Sequence, residues 1–304
     1  MNKKTNSLET KRIFIYLAIT FLLTYGYCFA IIYPLANGEN LLGIPAAATQ
    51  FLVAAGMFFP AIGVLLTRLI TKEGFKNCWL RPNFKGNIKT YLLAYFGPGI
   101  LTVLGILLYF VIYKENFDPN CSYLMATLEA AGTTADQLPV PLHVLLIIQG
   151  IEALFIGPIL NFFTCFGEEW GWRGYLLPKM SEKFSLIPML LINGVIWGLW
   201  HAPLTAIGHN YGMGYSGFPF TGILMMCLFC TVLGVFFSYI SLKTKSCIPA
   251  VLGHGAVNSF SAIGIYFTKD GGNPFIGPAP TGIIGMIPFI IVGILMILHL
   301  KKKN

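Results

Sequence analysis

Apolar runs of about 20 residues, separated by short polar stretches, dominate the chain from residue 13 to residue 299. A helix needs ~20 apolar residues to cross a bilayer, so each run predicts a membrane span. Eight are expected: near 13–35, 45–67, 91–113, from Leu142 past Phe166, 186–207, 218–241, 248–267 and 281–299. Pro60 and Pro98 predict kinks in the second and third. A β-barrel would show short alternating segments, and there are none. The expected fold is all-α and polytopic. A polar cytoplasmic tail over 1–12 leads into one eight-helix membrane domain over 13–300, with a catalytic core at about 142–267.

Composition agrees with the pattern. Only 11% of the 304 residues are charged, against roughly 25% in soluble domains. The net charge of +8 would suit a nucleic acid if it were clustered, but its placement follows the spans. With the N-terminus inside, 18 of the 20 Lys and Arg residues fall on or near the cytoplasmic side, and only Lys114 and Lys269 lie opposite. That is the positive-inside asymmetry. It predicts both termini in the cytoplasm, the bilayer as partner and no nucleic acid, with the bacterial plasma membrane as the expected location. Cys227-x-x-Cys230 looks like half a metal knuckle but lies mid-span without a second pair. It reads as packing thiols.

One polar run interrupts the fourth span: Gly167-Glu168-Glu169-Trp170-Gly171-Trp172-Arg173. Carboxylates beside hydrocarbon are costly, and are kept where they are paired, hydrated or functional. Glu169 and Arg173 are four apart and share a helical face, so they are expected to pair. Glu168 points about 100° away and has no such partner, which makes it the candidate for chemistry. Trp197-x-x-x-His201 in the fifth span and His254-x-x-x-Asn258 in the seventh add imidazoles and an amide. Glu168 and His201 lie symmetrically about the turn near Phe184 and Ser185, which puts them at one depth in a helical hairpin. The three helices are expected to converge on a cavity reached from the cytoplasm. Glu152 reads as a structural hydrogen bonder, Asn161 as a neighbour on the face of Glu168, and both as possible cavity lining. The tryptophans read as packing, and His143 and His209 as without a role.

A carboxylate and imidazoles around a wet cavity can activate water. Glu168 would act as base, His201 would hold the water, and His254 and Asn258 would donate to an oxyanion. A zinc shell of Glu168, His201 and His254 is the alternative, although the H-E-x-x-H helix of familiar zinc proteases is absent. Either way, the expectation is a hydrolase with its site inside the membrane.

The three motifs in order, Glu168-Glu169-x-x-x-Arg173, aromatic-x-x-x-His201 and His254-x-x-x-Asn258, resemble those of the CPBP family over about residues 150–260. That family includes the type II CaaX prenyl endopeptidases and the bacterial Abi proteins linked to bacteriocin self-immunity. The resemblance implies an eight-helix intramembrane endopeptidase acting on a membrane-associated peptide or lipidated protein. It assigns water activation to Glu168 and His201, oxyanion stabilisation to His254 and Asn258, and support to Glu169 and Arg173. The family has been described both as glutamate-type and as metalloproteases, and the glutamate type is favoured here. One position departs: the second motif usually begins with phenylalanine, where this chain has Trp197. The larger ring is expected to alter cavity shape more than chemistry. Two other readings remain, a non-enzymatic immunity or scaffold protein and a transporter with a proton relay. Transporters often show internal repeats, and none is evident.

Overall fold

The computed structural model describes residues 3–39, 43–45 and 48–302, with side chains from Ser7 onward. The charges of Lys3, Lys4 and Lys303 and positions 46–47 of the second expected span lie outside what is described.

Every expected span is helical. Helix α1 (Lys3–Tyr27) continues through a π-helical turn, Cys28–Ile32, to Ala36. Helices α2 (Thr49–Gly56) and α3 (Phe59–Ile70) form the second span, with a break just before Pro60. Helix α4 (Ile88–Ile112) forms the third span and keeps Pro98 in its interior. A short helix, α5 (Ser122–Ala130), lies in the following loop. The fourth span is made of α6 (Leu142–Phe155), a turn at Gly157–Leu160 and α7 (Phe162–Glu169). Helices α8 (Leu186–Trp200), α9 (Phe220–Thr244), α10 (Ile248–Phe260) and α11 (Ile283–Lys301) follow. Among the described residues six helical segments are long and apolar enough to cross a membrane, and α6 and α8 are shorter apolar helices. The fourth span is divided because Pro158 has no N–H to continue α6 and its ring crowds the preceding turn.

The tail expected over 1–12 is not separate, since α1 is helical from Lys3 onward. Its polar turns have partners. Lys179 Nζ lies 2.5 Å from Glu9 Oε2 and 2.7 Å from Glu73 Oε1, and Arg12 and Arg68 each approach Glu73 at 3.6 Å. This network gathers the start of α1, the end of α3 and the turn after Leu177 at one end of the bundle. The 75–87 loop joins them there through the Cys247 amide, which donates to the Trp79 carbonyl at 2.8 Å. We call this the basic end. At the opposite end the Asp118 amide donates to the Phe267 carbonyl at 2.8 Å, and Tyr211 stacks on Phe275.

Close packing of small residues sets the middle of the bundle. Gly194 and Gly198, one turn apart on α8, lie against the backbone of Thr231 and Cys227 on α9. A Cβ on either glycine would stand 2.4 Å from those Cα atoms. Gly167 and Gly171 seat the fourth span against Met57–Pro60 in the same way. Membrane helices have little hydrophobic drive to associate within lipid, so close backbone approach and dispersion hold such pairs.

Candidate functional site

Helix α7 ends in Glu169, and the chain then runs through a second π-helical turn, Trp170–Leu176. Such turns add a residue to the helical repeat and re-aim side chains, often at functional sites. Glu168, Glu169 and Arg173 are all 1% exposed or less. The expected ion pair is present: Arg173 Nη1 donates to Glu169 Oε1 at 3.1 Å. The guanidinium also lies 4.2 Å from the Trp197 ring centroid and 5.3 Å from that of Phe237. Aromatic faces thus cover a charge whose Nε and Nη2 have no hydrogen-bond partner.

The same carboxylate oxygen of Glu169 accepts a second bond, from His254 Nδ1 at 2.9 Å. Glu169 therefore ties α7 to α10 as well as pairing with Arg173. Its carboxylate fixes the His254 tautomer with the proton on Nδ1, which leaves Nε2 as the nitrogen available to the cavity. The His254 ring is wedged between Trp197, edge-on at 5.4 Å, and Phe237, stacked at 5.7 Å. His201 is oriented in parallel fashion: its Nδ1 lies 2.9 Å from the Trp197 carbonyl. A carbonyl only accepts, so Nδ1 carries the proton and the Nε2 lone pair is free.

Glu168 does have a partner. The Trp197 indole Nε1–H donates to its Oε2 at 2.8 Å, within a buried contact. A phenylalanine at this position has no N–H to offer, so Trp197 contributes a hydrogen bond as well as shape, which the packing reading left out. Asn258, one turn after His254, is exposed, and its amide contacts Cys165 Sγ at 3.5 Å.

Glu168, His201, His254 and Asn258 line one cavity of about 400 Å³. Its wall reaches beyond 142–267, because Thr24, Cys28 and Ile32 of the first span and Gln50–Met57 of the second close one side. Trp200 bridges to that wall by donating to Thr24 Oγ1 at 2.7 Å. Glu152 and Asn161 are not part of it; they line a separate recess of about 210 Å³ between the fourth and seventh spans. There the Asn161 amide donates to Ser259 Oγ at 3.0 Å. His209, read as without a role, stands at the cavity rim with Asn210.

Towards the opposite end the cavity extends to Gln50, His209, Asn210, Pro280 and Thr281. Between the catalytic candidates and the basic end lie Tyr16, Trp172, Tyr175, Leu176 and Leu177, each 0% exposed. Glu168 and His201 line the same cavity, as their symmetry about the turn near Phe184 and Ser185 leads one to expect.

Among the described residues no group of three His, Cys, Asp or Glu side chains is placed to hold a metal ion. The Glu168 carboxylate faces Trp197, and the Nδ1 atoms of the histidines face Trp197 and Glu169.

Comparison with known proteins agrees with this geometry. Residues 150–260 match the family model described as type II CAAX prenyl endopeptidase Rce1-like. A protein named CAAX prenyl protease 2 from Methanococcus maripaludis is 30% identical over 92 residues, which cover 30% of this chain. The chain spans about a third of that relative's length, 34%. The resemblance to the CPBP family carried by the three motifs therefore holds over residues 150–260, the stretch that contains every one of them.

Proposed function

We propose that the chain is an intramembrane endopeptidase that hydrolyses a peptide bond of a membrane-associated peptide or lipidated protein. The observation that carries this reading is the set of buried, oriented groups around one cavity: Glu168 held by Trp197, and two histidines whose Nδ1 atoms are both occupied. Such tethering spends each group's outer valence on the protein and leaves the inner one for a substrate. The relative named as a CAAX prenyl protease supports the same class of reaction.

In this mechanism Glu168 takes a proton from a water that also donates to His201 Nε2. The water oxygen adds to the scissile carbonyl carbon. The Asn258 amide N–H and His254, donating from Nε2 once it carries a second proton, stabilise the resulting oxyanion. Collapse breaks the C–N bond, and the proton held by Glu168 passes to the leaving amine. Glu169 and Arg173 touch no reacting atom; they position His254. We favour this glutamate-type chemistry; zinc held by Glu168, His201 and His254 is the alternative that chelation tests.

The test is cleavage of a quenched fluorogenic peptide library by purified protein in detergent, before and after chelation. Glu168→Gln should lower kcat/KM by roughly 10²–10⁴, the range of a lost general base, with an unchanged melting temperature. His201→Ala and His254→Ala should fall comparably. Full activity in Glu168→Gln would overturn the assignment. Activity lost on chelation and restored by zinc would make the three residues ligands instead.

A further inference from the structure

Three segments meet at one corner of the basic end. The loop before α4 is laid on the turn between α9 and α10: the Asn83 side-chain amide donates to the Thr244 carbonyl at 3.0 Å, and the Cys247 amide to that of Trp79. The end of α11 comes to the same level. A Cβ on Gly105 of α4 would stand 2.6 Å from the Gly285 carbonyl oxygen of α11. The two helices run in opposite directions, so sixteen residues from that contact Lys89 and Lys301 stand at one height. Gly293 of α11 packs on Val235 of α9, a parallel pair, which brings Lys243 to that height too. Tyr239 closes the link, with its ring 5.9 Å from that of His299 and 5.9 Å from Lys243 Nζ.

The charge gathered here is uncompensated. Arg81, Lys85 and Lys89 project from the loop and the first turn of α4, and Lys243 and Lys245 from the end of α9. Lys301 and Lys302 project from the end of α11, and all seven are exposed. None of the stretches 79–91, 239–250 and 296–302 contains Asp or Glu. Among the described residues none of the seven cations has an ion-pair partner, whereas Arg12, Arg68 and Lys179 at the same end are paired with Glu9 and Glu73. Orientation during insertion needs Lys and Arg in the loops. It does not need three segments to bring them together against their mutual repulsion.

The surface below the cations is apolar. Ile88 and Leu92, one turn apart on α4, and Leu295 and Leu298 on α11 are at least half-exposed, as is Phe84 in the loop. Cations above and hydrocarbon-facing side chains beneath match a phospholipid, in which phosphate and acyl chains are joined in that order. A soluble polyanion would use the charges alone.

We propose that this corner binds the headgroup phosphate of an anionic glycerophospholipid, whose acyl chains lie along α4 and α11. Clusters of four to eight Lys and Arg at a membrane surface recognise acidic lipid in this way. The site is separate from the cavity around Glu168 and stands whatever the chain hydrolyses. Its lipid holds the turn from which α10, the helix of His254, begins.

The test is native mass spectrometry of full-length protein released from neutral detergent. Phosphatidylglycerol and phosphatidylcholine with identical acyl chains are supplied at equal concentration. Wild type should retain phosphatidylglycerol at least tenfold more. The triple variant Lys89→Gln, Lys245→Gln, Lys301→Gln takes one cation from each segment and should cut that preference to threefold or less. Arginine at the same three positions should keep it. The triple variant Lys11→Gln, Lys114→Gln, Lys269→Gln removes equal charge elsewhere and should also keep it. If the first triple does not fold, Lys85→Gln with Lys302→Gln makes the same comparison. Absence of a preference in wild type overturns the proposal. An equal loss in both glutamine triples overturns it as well, because the protein would then respond to net charge alone. Displacement of bound lipid by glycerol 3-phosphate as readily as by phosphatidylglycerol would make the occupant a soluble phosphate, and overturns it too.

Discussion

At the scale of single residues, the site depends on bonds between motifs more than within them. Trp197 is the clearest case, since its indole N–H holds Glu168 while its carbonyl holds His201. Trp197→Phe removes only the first of these. A hydrogen bond to a charged group contributes about 1.5–3 kcal/mol, so kcat/KM should fall roughly tenfold or more. The pH–rate profile should shift as Glu168 loses its donor. A melting temperature near wild type with an unmoved profile would make Trp197 mere packing. The Glu169–Arg173 pair was legible in the sequence because four residues on a helix return to one face. The Glu169–His254 bond was not, since it joins positions 85 apart and no local period announces it. Trp197 stood out only as a departure from phenylalanine, and its donor was overlooked because tryptophans in apolar helices are usually packing.

At the scale of elements, the helices and their order could be read from apolar runs, while their interruptions could not be read fully. Pro60 marked a break, as expected, but the π-helical turn after Glu169 has no sequence signature among its two glycines and two tryptophans. Asn161, read as a neighbour of Glu168, lines the other recess. It stands at the N-terminal cap of α7, and its amide is held by the Gly157 carbonyl and Ser259 Oγ, which keeps it in the recess against α10. The α8–α9 contact is the element pair on which His201 depends most. Gly198→Leu would drive a side chain into the Cys227 backbone, an overpacking that costs about 1–3 kcal/mol or more. Its expected result is a lowered melting temperature in detergent together with lost activity. Gly150→Leu, with open space around its Cβ, should leave both unchanged and serves as the control. Equal stability of the two variants would show that the α8–α9 approach has slack.

At the scale of the whole molecule, charge and packing divide the two ends. The division of Lys and Arg was readable in the sequence, because loop charge needs only the order of the spans. The plug was not, because its residues come from the first span, the π-helical turn and the stretch after it, and only tertiary packing makes them a wall. That wall has a consequence for protons. Packed side chains with no exposure leave no room for a chain of waters, so in the proposed reaction Glu168 should exchange its proton along the cavity and not through this wall. In sealed proteoliposomes of uniform orientation, the cleavage rate should follow the acidity on one side of the membrane and ignore a change confined to the far side, behind the wall. A rate that tracked the far side would reveal a proton path through the plug.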